Sequence, residues 1–293
     1  MSSPFCRSLS VAGIVLRLET DWPLAVEDNF LPFLTEADAP DFRAGFRRVD
    51  TLPPIADAVL HTDSCFRVHP DGRGGYFRSF FDSSKKDTTP YALAAYDYPR
   101  GSIDVEYLEK GFPCVVQMRN CFFHLGFESL LIHKDRLCLH AACIRTHLGG
   151  ILFSGPSGIG KSTQAALWQT WRGAEQINGD RPILSRDSGG WLAWGSPYAG
   201  SSRCYVNESC PVTAIVMLRQ AQHCRLRRLS QPEAFRAIWS GLTVCSWDSM
   251  FVETASRLAL ELIASVPVLE FSCTPDRQAV DALEHGLRKE CGL

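Results

Sequence analysis

The residues with the most specific spacing for chemistry are Gly155, Gly160, Lys161 and Ser162. They fit the pattern G-x-x-x-x-G-K-[ST], in which glycines let several backbone N–H groups converge on one phosphate at the start of a helix. Lys161 would reach the β- and γ-phosphates, and the Ser162 hydroxyl would bind Mg²⁺. The alternative is a glycine-rich strand-to-helix turn with an unrelated lysine. The complete pattern favours a nucleotide site, with these predicted contact residues: Gly155, Ser157, Gly158, Ile159, Gly160, Lys161, Ser162 and Thr163.

A carboxylate that could work on a bound nucleotide follows in the segment "INGDRPIL", at Asp180. It could hold Mg²⁺, directly or through water, or accept the proton of an attacking hydroxyl. The alternative is an aspartate that serves only a Gly-Asp turn. Its place after the loop and helix favours the functional role, so Asp180 is predicted both as a catalytic residue and as a metal ligand.

Three further features are weaker candidates. His140 precedes the loop strand and could reach the phosphates, or it is a core histidine bonded to backbone. Glu208 is either an outer partner of the metal ion or a solvated residue at the start of a strand. The aperiodic, Ser- and Gly-rich segment 196–209 is the predicted acceptor site, because long loops near a site are often functional.

The elements around these residues indicate an α/β fold with two regions. Short alternating runs with turn residues between them predict a β-rich, antiparallel region over 1–118, in which "TEADAPDFRAGFRR" is a helix or loop. Strands and helices alternate from 119 to 293. The predicted helices of that second region are one over "FHLGFESLLIHKD", then 161–172 ended by Gly173, 232–240, 250–264 and a last one capped by Thr274.

The stretch "LHAACIRTHLGGILFSGPSGIGKST", with the later "GDR" and "GSPYAGSS", resembles the core of the HPr kinase/phosphorylase family and its relatives of the phosphoenolpyruvate carboxykinase type. The resemblance covers roughly 137–220 and is greatest to the uncharacterised kinase-like branch of that group. It implies a P-loop kinase domain that uses ATP and Mg²⁺, with His140, Lys161 and Asp180 as catalytic residues. It also implies self-association.

The chain departs from that family at two points. Bacterial HPr kinases carry two adjacent aspartates where this chain has Gly179 and Asp180, so Asp180 has to serve as base, metal ligand or both. The phosphorylase signature is not recognisable, so phosphorolysis is not expected, and HPr is not assumed to be the substrate.

Composition limits the partners and the location. A net charge of −2 with scattered Lys and Arg indicates no basic patch that would bind nucleic acid or an anionic membrane. The N-terminal stretch is no signal peptide, and no apolar segment is long enough to span a membrane, so a cytoplasmic location is expected. Twelve dispersed cysteines without a CxxC pair predict reduced thiols rather than a disulfide framework.

These observations predict an ATP-dependent phosphotransferase that phosphorylates a serine-type hydroxyl of a protein, a peptide or a small metabolite. The alternative is a non-catalytic nucleotide-binding protein that assists other enzymes in a peptide-modification or regulatory pathway. A decarboxylating kinase is disfavoured, because the additional metal- and carboxylate-binding residues that it needs are not found.

Overall fold

The chain forms two compact units of mixed α and β structure. The structure, a computed structural model, describes residues 5–55, 57–84 and 89–292. One unit extends to His133 and includes Ser246–Ser249, and the other begins at Lys134. No helix among the described residues is long and apolar enough to cross a membrane.

The first unit is built on one sheet, with strand order β1-β2-β3-β8-β7-β6-β5-β4 in its described part. Two short helices follow the last of these strands. The elements are β1 (Phe5–Val11), β2 (Ile14–Thr20), β3 (Phe42–Arg48), β4 (His61–Thr62), β5 (Phe66–Pro70), β6 (Tyr76–Phe80), β7 (Ala92–Asp97), β8 (Ser102–Tyr107), α1 (Met118–Leu125) and α2 (Phe127–Ile132).

This sheet is mixed, whereas the sequence predicted an antiparallel one. β2 and β8 both pair with β3 in parallel. β3 itself lies in the segment predicted as helix or loop. Its alternate residues Phe42, Ala44 and Phe46 are buried, as expected for a strand with one face on the core. The acidic and proline-containing residues before Phe42 obscure this alternation in the sequence.

The single helix predicted over 123–135 is two helices. Gly126 has φ +60°, and α1 ends there. A β-carbon on Gly126 would lie 2.8 Å from Nη1 of the buried Arg78, so a side chain does not fit. The rings of Phe122 and Phe30 pack with centroids 4.9 Å apart. Because α1 and α2 pack with the first sheet, the compact unit extends to His133.

The second unit contains a branched sheet with the order β12-β10-β11-β15-β14-β13-β9, and β17 adds β16 beside β15. Its helices connect or flank these strands. The elements are β9 (Leu137–Cys138), β10 (Ala141–Thr146), β11 (Gly149–Ser154), α3 (Lys161–Arg172), β12 (Glu175–Asn178), β13 (Ile183–Asp187), β14 (Gly190–Trp194), β15 (Ser209–Gln220), β16 (Arg225–Arg228), α4 (Gln231–Gly241), α5 (Ser249–Ser265), β17 (Val268–Cys273) and α6 (Arg277–Cys291).

Three parallel strands form the centre of this unit. β15 pairs in parallel with β11 on one side and with β17 on the other. Their carboxyl ends therefore meet at one edge of the sheet. The core that holds them includes Phe153, Trp168 and Phe271, all with no exposed surface, together with leucines of α6. α3 is thereby fixed over the strand that leads into it.

The cap of the last helix lies two residues later in the chain than predicted. Asp276, rather than Thr274, caps α6: its side chain accepts a hydrogen bond from the backbone N–H of Ala279. Thr274 and Pro275 lie in the loop that follows β17. An aspartate before a helix caps it as well as a threonine does, and the sequence offers both.

Candidate functional site

The glycine-rich loop lies between β11 and α3, as predicted. Gly155, Gly158 and Gly160 have φ values of +137°, +77° and +114°, which other residues rarely adopt. No atom of the described residues lies within 4 Å of a β-carbon built on Gly158 or Gly160, so backbone conformation rather than space requires glycine there. Gly160 is the N-cap of α3, and among the residues that the structure describes no side chain caps this helix. The first N–H groups of the helix therefore face the loop, as an anion site requires.

Lys161 is the first residue of α3 and is largely buried. Its Nζ donates hydrogen bonds to the carbonyl oxygens of Gly155, at 3.0 Å, and Pro156, at 3.1 Å. Burial lowers the pKa of Lys161 from its ordinary value, and the nearby charge of Asp180 opposes that shift. The ammonium is thus held over the loop by two neutral carbonyl groups.

His140 and Asp180 form a pair beside the loop. His140 Nε2 lies 3.3 Å from Asp180 Oδ1, and each side chain is about one third exposed. The backbone fixes this geometry, because the Ala141 N–H donates to the Asp180 carbonyl at 3.0 Å. Burial lowers the pKa of His140, the charge of Lys161 lowers it further, and Asp180 opposes both effects. The imidazole is therefore neutral at pH 7.

A buried polar network that the sequence analysis did not identify positions Asp180. Asn178 Oδ1 accepts hydrogen bonds from the backbone N–H groups of Asp180, at 2.9 Å, and Arg181, at 2.7 Å. Asn178 Nδ2 donates to the carbonyl of Ser196 at 3.2 Å, and Ser196 Oγ donates to the carbonyl of Arg181 at 2.7 Å. Asn178 and Ser196 have no exposed surface. Asparagine favours turns, so the asparagine before Gly-Asp was the sequence feature that could have indicated this network.

The position next to Asp180 has no room for a side chain. A β-carbon on Gly179 would lie 1.9 Å from Ser202 Oγ, 2.4 Å from Ser202 Cβ and 3.0 Å from the Ala199 carbonyl oxygen. Gly200, with φ +55°, lies against the other side of the aspartate: a β-carbon there would be 3.0 Å from Asp180 Cβ. The loop after β14 thus packs directly on Gly179 and Asp180, and a second carboxylate has no space.

These groups line one open cavity of about 300 Å³. It brings together most of the residues that the sequence singled out. The lining residues are His140, Ser157, Gly158, Gly160, Lys161, Ser162, Thr163, Gly179, Asp180 and Gly200. Gly155 and Ile159 instead line neighbouring cavities on the other side of the loop.

Glu208 is not brought to this cavity. Its Oε2 lies 2.5 Å from Arg145 Nη2, and Arg145 also pairs with Glu175. In the β10–β11 ladder, Arg145 is opposite Gly150, four residues before Ser154 and the glycine-rich loop. That spacing is about 13 Å along a strand. Glu208 therefore lies toward the opposite end of β11, mostly exposed, as a solvated residue at the start of β15 does.

The cavity offers oxygen ligands for one magnesium ion bound together with a nucleotide. Within the described part of the chain, no group of three or more His, Cys, Asp or Glu side chains is placed to hold a metal ion. The Ser162 hydroxyl and the Asp180 carboxylate line the same cavity. Mg²⁺ commonly takes one or two protein oxygens and completes its shell with phosphate and water oxygens. The donor set therefore fits a nucleotide-bound Mg²⁺ and not a dedicated metal cage.

No model of a known protein family matches the chain, and no curated protein matches its sequence. Among solved structures, the chain is similar to the HPr(Ser) kinase/phosphatase from Coxiella burnetii, with 15% sequence identity. The match covers 53% of this chain and 99% of that one, with a TM-score of 0.33.

Proposed function

We propose that this protein transfers the γ-phosphoryl group of ATP to a serine-type hydroxyl of a protein, a peptide or a small metabolite. The observation that carries the proposal is the convergence on one cavity of the glycine-rich loop, Lys161, Ser162 and the His140–Asp180 pair. Phosphoryl transfer depends mainly on positioning and on neutralising charge, and this set supplies both.

The loop and α3 bind the phosphates in this proposal. Backbone N–H groups of the loop and the first turn of the helix donate to phosphate oxygens, and Lys161 neutralises charge on the β- and γ-phosphates. Ser162 and Asp180 would hold Mg²⁺, which supplies further charge neutralisation at the phosphate oxygens when bound. Lys161 then exchanges its contacts with the Gly155 and Pro156 carbonyls for phosphate contacts.

Asp180 is also the group that accepts the proton of the attacking hydroxyl. The acceptor oxygen forms a bond to the γ-phosphorus as the bond to the β,γ-bridging oxygen breaks, and ADP leaves. The neutral His140 orients the carboxylate, since it lies 3.3 Å from Asp180 Oδ1. Gly200 brings the 196–209 segment to the cavity wall, so the acceptor hydroxyl enters between that segment and the loop.

One observation favours the second candidate, a non-catalytic nucleotide-binding protein. Gly179 lies where the resembling kinases carry another aspartate, and Ser202 and Ala199 fill the space of a side chain there. A single carboxylate then has to act as both base and metal ligand. In that case the cavity would bind nucleotide without transferring phosphate.

The test is incubation of the protein with ATP and Mg²⁺, with and without free serine or a serine-containing peptide, followed by mass spectrometry. We expect the acceptor to become phosphorylated, and we expect ADP to be released only when an acceptor is present. Lys161→Ala should abolish both in a protein whose fold is checked by circular dichroism, and Lys289→Ala, at an exposed lysine of α6, should match the wild type. ADP release without a phosphorylated acceptor would refute the kinase proposal, and tight binding without turnover would favour the second candidate.

A further inference from the structure

A second cavity of about 400 Å³ opens beside the glycine-rich loop. The segments that follow β11, β15 and β17 form its walls, with Ile159, Thr163, Gln164, Ala221, Cys273 and Pro275 among the lining residues. These three strands are parallel, so the cavity lies outside their carboxyl ends. Ligands of open α/β sheets bind in that position.

The second cavity is continuous with the candidate site. Both are lined by Gly158, Gly160 and Thr163, so a molecule whose phosphates occupy the first cavity can extend over Gly160 into the second. A third cavity, of about 660 Å³, shares no lining residue with the first. Arginine and glutamate side chains line much of that third cavity. The second is apolar or neutral apart from Arg219, which pairs with Glu270.

Gln164 lines the second cavity and carries a buried hydrogen-bond acceptor that is not used. Its side chain is 3% exposed, and its Nε2 donates to the Thr274 carbonyl at 3.4 Å and to Cys273 Sγ at 3.2 Å. A carbonyl group can only accept, so this contact fixes which end of the amide is the donor. Gln164 Oε1 has no hydrogen-bond partner among the described residues. Buried polar atoms are rarely left unsatisfied, which makes this oxygen notable.

We propose that the second cavity holds the base of the nucleotide and that Gln164 recognises the exocyclic amino group of adenine. This inference rests on the proposed function, because it takes the phosphates to lie on the loop. The terminal torsion of a glutamine is soft, so when the base binds the amide rotates: Oε1 reaches the cavity surface, and Nε2 gives up its contacts of 3.2 Å with Cys273 and 3.4 Å with Thr274. Ile159 and Pro275 offer apolar surfaces to the plane of the base. The N6 amino group then supplies the donor that Oε1 lacks.

The experiment measures dissociation constants by calorimetry for three probes. These are ATP, purine riboside 5′-triphosphate, which lacks the amino group, and inorganic tripolyphosphate, which lacks the nucleoside. We expect the wild type to bind ATP about 3- to 10-fold more tightly than purine riboside triphosphate, the range for one net hydrogen bond. Gln164→Leu should remove this preference without changing the affinity for tripolyphosphate.

Gln169→Leu is the matched control, because Gln169 is an exposed glutamine on the same helix and should behave as wild type. Equal wild-type affinities for ATP and purine riboside triphosphate would overturn the inference, and that comparison needs no variant. Retention of the preference in a folded Gln164→Leu protein would also overturn it. Tripolyphosphate binding without base discrimination would overturn only this inference, whereas failure of every probe to bind would overturn the proposed function as well.

Discussion

Asp180 is the residue on which the proposed phosphoryl transfer depends most. Its side chain lies between the imidazole of His140 and the guanidinium of Arg181, whose Nε is 3.8 Å from Asp180 Oδ2. Arg181 is itself held by a hydrogen bond to Thr243 Oγ1. The carboxylate is thus oriented by neighbours on several sides, and it faces the loop that would present the phosphate.

Asp180→Asn should lower phosphoryl transfer at least about 100-fold, the lower end of what a positioned base or metal ligand contributes. Nucleotide binding should fall less, because the loop and Lys161 remain. Single-turnover transfer and equilibrium binding of ATP, measured on the same preparation, separate the two effects. Asp187→Asn, which changes an exposed aspartate at the end of β13, serves as the control. If the transfer rate fell by less than tenfold, Asp180 would not be the base, and His140 would be the next candidate.

Among the elements, the loop and α3 could be predicted because their determinants are local. Glycines with positive φ, a lysine and a run of helix formers all lie within a few positions of one another. The contacts that position Asp180 could not be predicted, because Ser196 and Gly200 lie 16 and 20 residues after it in the chain. The parallel pairing of β2, β3 and β8 was missed for the same reason: alternation within a strand does not reveal its partner.

Gly179→Ala should destabilise the protein by about 1–3 kcal/mol, the usual cost of forcing extra atoms into a packed site. The added methyl group meets Ser202 Cβ and the backbone carbonyl of Ala199, so the segment that covers Asp180 has to shift. Chemical denaturation gives the free energy of unfolding. Gly189→Ala is the matched control, because its β-carbon would approach only Asp187 Oδ1, at 3.3 Å. Equal stability of the two variants would contradict this account.

At the scale of the whole molecule, each unit has its own core, and the core of the first unit contains a titratable group. His124 has no exposed surface. Its Nδ1 donates to the Asn120 carbonyl at 2.6 Å, so its Nε2 is the acceptor for the Tyr91 hydroxyl at 3.0 Å. Burial lowers the pKa of His124 to about 4, with the Asn120 contact opposing the shift. Only the neutral ring suits this site.

The protein should therefore lose stability in acid well before its carboxylates are protonated. Since the pKa of His124 is lower in the folded chain than in the unfolded one, the unfolded chain binds the extra proton between about pH 6.5 and pH 4. The contribution is intact above this range and is lost as the pH falls, by roughly 3 kcal/mol at pH 4. Unfolding free energies from pH 7 to pH 4 measure it.

His124→Gln should flatten this pH dependence, because glutamine does not titrate, although its stability at pH 7 is lower. His223→Gln replaces an exposed histidine and should leave the profile unchanged. A His124→Gln profile as steep as that of the wild type would assign the acid sensitivity to other groups.

The contact between Ser202 and Gly179 also restricts how this site can change over generations. A single nucleotide change in a glycine codon can produce aspartate, but at position 179 that variant meets Ser202 and Ala199 and is selected against for stability before any catalytic gain appears. The segment at 199–202 would have to change first, and that change alone gives no advantage in turnover. The two steps are epistatic, so a laboratory lineage that acquires a second carboxylate should show the loop substitution earlier than the aspartate.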